Sequence, residues 1–173
     1  MTIYASRFGS VEIPANGLWT CRQPLAGFEE LRDFALIQVA GQIPFVWLQS
    51  LELQPIAFLL AEPRHFGLQY PQPADAEVSG LAGSACRFLV MVTIPENKED
   101  PLRPHHLGPL CFDADRGEFL QWVLEPGRVS LSTGFRPQTG NLDLASALLP
   151  RLVRWPEARG ASPTSSPSAS IAA

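Results

Sequence analysis

The chain has 173 residues and a net charge of −4, with 46% apolar and 17% charged side chains. That is ordinary globular composition with room for one domain, able to bury roughly 70% of its unfolded surface without a metal or disulfide staple. No apolar run approaches the ~20 residues that cross a bilayer as a helix, and the acidic balance counts against a nucleic-acid binder, which needs basic patches to neutralise phosphate.

In chain order, Val11-Glu12-Ile13 alternates after Phe8-Gly9 and predicts a short strand, with Gly9 suited to a turn or bulge. A second strand is expected over residues 18–21. Residues 24–29 read as a loop turning at Gly27, with one helical turn over 30–33. Residues 34–39 alternate again and pass through Ala40-Gly41-Gln42 into two apolar runs, 45–48 and 56–61, fenced by prolines. Both runs are rich in aromatic and branched residues and too short for a typical helix, so they predict the central hairpin of the fold. Phe45, Trp47 and Gln49 share one strand face, and Val46, Leu48 and Ser50 the other. The hairpin is apolar on both sides, so both sides must be covered.

After Pro63, Phe66 and Tyr70 have the spacing of one helical face, and Pro71-Gln72-Pro73 breaks the segment. Residues 74–81 allow a two-turn helix, weakened by Gly80 and Gly83. Residues 86–94 form the best strand candidate of the second half, followed by a charged, proline-bounded loop over 95–104. Residues 107–112 and 119–124 predict a second hairpin, linked by Asp113-Ala114-Asp115-Arg116-Gly117 with a glycine available for the left-handed position. Leu142, Ala145, Leu148, Leu149, Leu152, Val153 and Trp155 follow 3.6-residue spacing. They predict an amphipathic helix over 139–158, with Asn141 as a candidate N-cap and Pro150 set to kink or end it near its middle. The small polar residues of 159–173 cannot bury enough to offset ordering, so a disordered tail is expected. The expected fold is all-β: a compact β-barrel-like domain over residues 1–138, built of short antiparallel strands with one or two short helices, plus the C-terminal helical extension.

The sequence offers no catalytic constellation, and neither cofactor nor metal is expected. His105-His106 is a poor metal clamp because adjacent side chains diverge in extended chain, and no Cys-x-x-Cys or His-Glu-x-x-His spacing accompanies it. Nucleophile elbows and glycine-rich phosphate loops are missing. Asp113 and Asp115 suit a turn as well as a carboxylate pair. Cys21, Cys86 and Cys111 are odd in number and far apart, which predicts buried thiols in a reducing cytosol rather than a disulfide frame. Cys111, between Leu110 and Phe112, reads as an inert thiol. The Met-Thr-Ile-Tyr-Ala-Ser-Arg start lacks the form of a signal peptide. Residues 1–150 carry ten basic against sixteen acidic side chains, a balance of −6, and the remainder carries +2. Such a body suits a basic protein partner, though a mild acidic balance also simply keeps a protein soluble.

The blocks Phe8-Gly9-Ser10-Val11-Glu12-Ile13, Gly27-Phe28-Glu29 and Pro44-Phe45-Val46-Trp47-Leu48-Gln49-Ser50 come in a familiar order. Ile56-Ala57-Phe58, then Pro63 with Phe66 and Tyr70, then Leu107-Gly108-Pro109-Leu110 with Gln121, Val123 and Leu124 follow them. Together they resemble the flagellar assembly factor FliW family over about residues 2–124. The chain departs from that pattern at Pro24-Leu25-Ala26, where the family usually has Gly-Leu-Pro, at His106 and Asp113, where asparagine is common, and in its longer C-terminus.

The resemblance implies a β-barrel-like fold and a non-enzymatic role. Members bind the translational repressor CsrA, a small basic RNA-binding dimer, and relieve its block of flagellin mRNA. They also bind flagellin, which competes for them. A cytoplasmic protein, monomeric when free and in direct contact with neither nucleic acid nor membrane, is expected on that basis. The expected contact surface gathers Phe28, Glu29, Gln49, Ser50, Leu107, Pro109 and Asp113. Phe28 reads equally as an interface anchor and as a plug of the barrel end, and Gln49 as a contact or as a satisfier of backbone groups at a strand end. A rival reading from another class is a barrel that stacks single-stranded nucleic acid on Trp47, Trp122 and Phe135.

Overall fold

A computed structural model describes residues 1–74, 77–78, 80–81, 86–130, 133–138 and 145–155. Eleven strands form among them: β1 (Thr2–Ser6), β2 (Gly9–Ile13), β3 (Leu18–Cys21), β4 (Asp33–Val39), β5 (Val46–Ser50), β6 (Ala57–Ala61), β7 (Cys86–Thr93), β8 (Arg103–Pro104), β9 (Leu110–Asp113), β10 (Glu118–Gln121) and β11 (Val153–Trp155). Seven of these, in the order β4-β3-β10-β9-β7-β6-β5 and back to β4, close into a barrel. Each neighbouring pair is antiparallel except β3 with β10, which run parallel. Closure removes the free sheet edges that short apolar strands would otherwise expose.

The alternation read from sequence becomes two separate cores. One parity of the barrel strands supplies Trp19, Phe34, Leu36, Leu48, Leu60, Leu89, Leu110, Phe112 and Phe119, all buried together as the barrel filling. Edge-to-face pairs Trp19–Phe112 (5.1 Å) and Phe34–Phe119 (5.3 Å), with Phe112 stacked on Phe119 (5.1 Å), fill it by aromatic geometry. The other parity supplies Ala35, Ile37, Trp47, Leu59, Ala61, Val90, Leu120 and Trp122 to a second cluster outside the wall. The β1–β2 hairpin covers part of that cluster with Val11 and Ile13, and Phe66, Leu68, Leu81, Leu124 and Val129 cover more. The doubly apolar central hairpin is thereby buried on both sides, in the pairing Val46↔Leu60, Trp47↔Leu59, Leu48↔Phe58 and Gln49↔Ala57.

Several expectations are corrected. Residues 30–33 form no helical turn, since Asp33 already starts β4. After Pro63 a short 3-10 turn (Pro63–Phe66) ends at Gly67, whose φ of 67° reverses the chain. Among the described residues of 74–81 there is no helix, and residues 77, 78 and 80 lie in turns. Of the amphipathic helix expected over 139–158, the described residues retain one α turn, α1 (Ala145–Leu148), and a 3-10 turn (Leu149–Arg151). Pro150 has no N–H to extend a helix, and Val153-Arg154-Trp155 instead adds as β11, parallel to the end of β4. Residues 139–144 and the expected tail lie outside the described residues. Finally, Cys86 and Cys111 are bonded as a disulfide between the neighbouring strands β7 and β9, with Cα atoms 5.9 Å apart. Strand pairing brings together two thiols 25 residues apart in sequence, which spacing could not reveal. Cys21 stays a free, buried thiol.

Candidate docking surface

The β3–β4 loop carries the Gly-Phe-Glu block, and local backbone chemistry sets its shape. Gly27 sits at φ 83°, a region L side chains rarely adopt. Leu25 and Phe28 form an isolated antiparallel bridge across it, with the Phe28 N–H donating to the Leu25 carbonyl (2.9 Å). Glu29 Oε1 accepts from the Gly27 N–H at 2.9 Å while the carboxylate stays exposed. That bond holds its carboxyl below the ordinary range, so Glu29 is a fixed negative charge at neutral pH. Phe28 is half-buried, its ring edge-to-face against Phe58 of β6 at 4.9 Å.

Phe28 and Phe58 line an open groove of about 660 Å³. Its long walls are residues 55–59 on one side and 91–94 on the other, with Arg7, Trp47, His105 and Gln121 at its margins. It exists because β6 and β7 pair only at Leu60↔Met91 and Ala61↔Val90. Beyond those couples β7 is joined to β8 instead, at Val92↔Pro104 and Thr93↔Arg103. Arg7, from the β1–β2 turn, places its guanidinium 4.7 Å from the centroid of the Trp47 ring.

The other expected contact residues divide. Leu107 is half-buried beside the groove margin, its carbonyl accepting from the Leu124 N–H (2.7 Å). Neighbouring Gly108 accepts from Gln121 Nε2 (3.3 Å), which ties this loop to the groove. Pro109 is buried and offers no side-chain surface. Gln49, Ser50 and Asp113 are also buried, and their polar atoms are used within the chain. Gln49 Oε1 accepts from the Arg7 N–H (3.1 Å), and its Nε2 donates to the carbonyls of Ser50 (2.9 Å), Gln54 (2.9 Å) and Ile56 (3.2 Å). Ser50 Oγ accepts from the N–H groups of Glu52 (3.2 Å) and Leu53 (3.0 Å), shaping the β5–β6 connection. Asp113 Oδ1 accepts from Asp115 and Arg116 N–H groups at 3.0 and 3.2 Å, closing the β9–β10 turn before Gly117. These three side chains position loops and do not form the outer surface.

Arg7, Phe58, Met91 and His105 belong to the groove but were not among the expected residues. No local pattern marks them, because the feature that unites them is a break in a ladder between strands 30 residues apart in sequence. For the nucleic-acid reading, Trp47 and Trp122 are 4% and 3% exposed and present no ring face to a base. Phe135 is stacked on Phe45 at 4.9 Å. Among the described residues no cluster of His, Cys, Asp and Glu could hold a metal, and no helix is long and apolar enough to cross a membrane.

The family model described as "FliW protein" matches residues 2–134. The flagellar assembly factor FliW of Bdellovibrio bacteriovorus is 39% identical over 137 residues, covering 76% of this chain and 77% of the relative. That of Syntrophotalea carbinolica is 32% identical over 124 residues, covering 69% and 87%. That of Leptospira biflexa is 28% identical over 127 residues, covering 71% and 83%. A crystal structure of the flagellar assembly factor FliW superposes with a TM-score of 0.65 at 20% identity, covering 80% of this chain and all of the other.

Proposed function

Because the chain belongs to the FliW family of flagellar assembly factors, we propose that it works in the cytoplasm by docking on proteins and carries out no catalysis. Its partners on this reading are a CsrA-type translational repressor, whose block of flagellin mRNA translation it relieves, and flagellin, which competes for it. The observation that carries the reading is the β3–β4 loop. It offers a fixed, exposed carboxylate at Glu29 beside the half-buried Phe28 on a rigid turn. A basic repressor meets complementary charge there, and charge at an interface rim mainly governs encounter and register. A stable complex needs about 800 Å² on each partner, so the loop containing Leu107 contributes as well. The free protein is a monomer on this reading.

The test is a calorimetric titration of purified repressor into the wild type and into Glu29→Arg. Charge reversal weakens binding by about tenfold, while the melting temperature stays within a degree or two because Glu29 is exposed. Unchanged affinity would remove this loop from the interface. Failure of the wild type to bind either the repressor or flagellin would leave the family and fold alone.

A further inference from the structure

The break between β6 and β7 exposes backbone as well as side chains. The Ser50 N–H donates to the Ile56 carbonyl at 2.9 Å, so on β6 the even-numbered residues turn their backbone groups toward β5. Ala57 and Leu59 therefore turn theirs the other way, toward β7. On β7 the Met91 carbonyl accepts from the His105 N–H at 2.8 Å, on the side of β8. Val92 and Ile94 therefore turn theirs toward β6. Continuing the register Leu60↔Met91 would set Leu59 against Val92 and Ala57 against Ile94, yet the ladder stops at Leu60. The couple Leu60↔Met91 still joins Leu59 to Val92 through a flanking backbone bond, so beyond it the lips of the groove carry the strand-edge donors and acceptors of Ala57 and Ile94, which no strand among the described residues pairs.

We propose that this split is a strand-addition site for an extended, acidic segment of a partner polypeptide. Four observations converge on that occupant. A strand edge recognises an extended backbone, giving affinity through main-chain bonds and selectivity through alternate side chains. The groove of about 660 Å³ falls in the range of built ligand sites. Phe28, Phe58 and Met91 give it an aromatic and thioether floor that moulds to apolar side chains. Its charge decides the sign: among the described residues the ionisable side chains along it are Arg7 and His105 and no carboxylate lines it, in a chain of net −4. A basic segment would find no counter-charge inside, whereas an Asp or Glu would meet the Arg7 guanidinium over Trp47. The inference shares Phe28 with the repressor reading but not Glu29, the charge that reading rests on, which lies outside the groove lining.

The probe is a phage-displayed random heptapeptide library panned on the full chain, with enriched peptides resynthesised and measured by fluorescence anisotropy. The expected winners alternate apolar residues and carry Asp or Glu. Methylating alternate backbone nitrogens of a winner should weaken it at least about tenfold, the scale of one or two lost main-chain bonds. Ala57→Pro removes an edge N–H that the β5 ladder does not use, and should weaken binding comparably with an unchanged melting temperature. Met91→Glu, at a half-buried groove position, keeps the inference testable should the proline variant fail to fold; it should reject acidic peptides. Absence of enrichment, enrichment of basic sequences, or affinity indifferent to N-methylation would overturn the proposal. Repressor titration on the same protein is a separate readout, so loss of one leaves the other standing.

Discussion

Replacing Gln49 by methionine keeps the length and nearly the volume of the side chain but deletes its amide. In the wild type this side chain is fully buried and joins the β1–β2 turn to the β5–β6 connection, which Gln54 Nε2 also bridges by donating to the Ser6 carbonyl (3.1 Å). The Gln49 oxygen receives the Arg7 N–H of the β1–β2 turn, and its nitrogen reaches three carbonyls of the β5–β6 connection. Ile56 keeps a partner after substitution, because its carbonyl also accepts from the Ser50 N–H. The Arg7 N–H and the carbonyls of Ser50 and Gln54 lose the amide that serves them. At roughly 1 kcal/mol for each such group, the expected loss is about 3 kcal/mol. Urea unfolding followed by tryptophan fluorescence measures it, and hydrogen exchange locates it: protection should fall at Arg7 and over residues 50–56 before the barrel strands. A loss below about 0.5 kcal/mol, the usual size of surface substitutions, would refute Gln49 as a structural tie between hairpin and barrel. Selective loss of partner binding with stability intact would return it to the interface.

Burial and the neighbouring Arg64 hold the His65 imidazole below its ordinary value of 6.5. Its Nδ1 accepts from the Gln138 N–H at 3.0 Å, and its Nε2 has no hydrogen-bond partner among the described residues. The unfolded chain therefore takes up the proton first. Stability is fully present above about pH 6.5 and falls as pH drops from there toward the folded value; His65→Gln should flatten that slope in urea melts at pH 5 to 8, and an unchanged slope would assign it to other groups. Burial also pushes the Cys21 thiol up to about 11, with its Sγ donating to the Gln23 carbonyl. The native protein should thus show no thiol reactive to Ellman's reagent at pH 8, one in denaturant and three after reduction; three in denaturant without reductant would contradict the Cys86–Cys111 bond. Gly117→Ala should destabilise by about 2 kcal/mol in the same melts, because a left-handed residue with a Cβ costs roughly 1–2 kcal/mol and that Cβ would stand 2.6 Å from Arg151 Nη1. An effect under half of that would mean that Arg151 swings clear without consequence.

Strand identity was legible wherever the chain alternates or runs apolar between breakers. The central hairpin, β4, β7 and the β9–β10 hairpin could all be read, since a strand of 4–8 residues carries its own periodicity. The β1 strand was not read, because Thr2-Ile3-Tyr4-Ala5-Ser6 gains its conformation from pairing with β2. The C-terminal stripe misled for a related reason. Its spacing fits a helix through Trp155, but an available edge on β4 claimed residues 153–155 once Pro150 had ended the turn.

The candidate surface was legible only at the Gly-Phe-Glu block, whose glycine announces a turn and whose exposed glutamate needs no partner across the fold. The sequence by itself determined the class of the fold, because alternation, proline fences and turn glycines are local and survive in one dimension. Tertiary structure alone decided which polar residues are internal ties, which cysteines meet, and where the barrel wall opens. Each of those depends on register between distant strands, where a shift of one residue exchanges inside for outside.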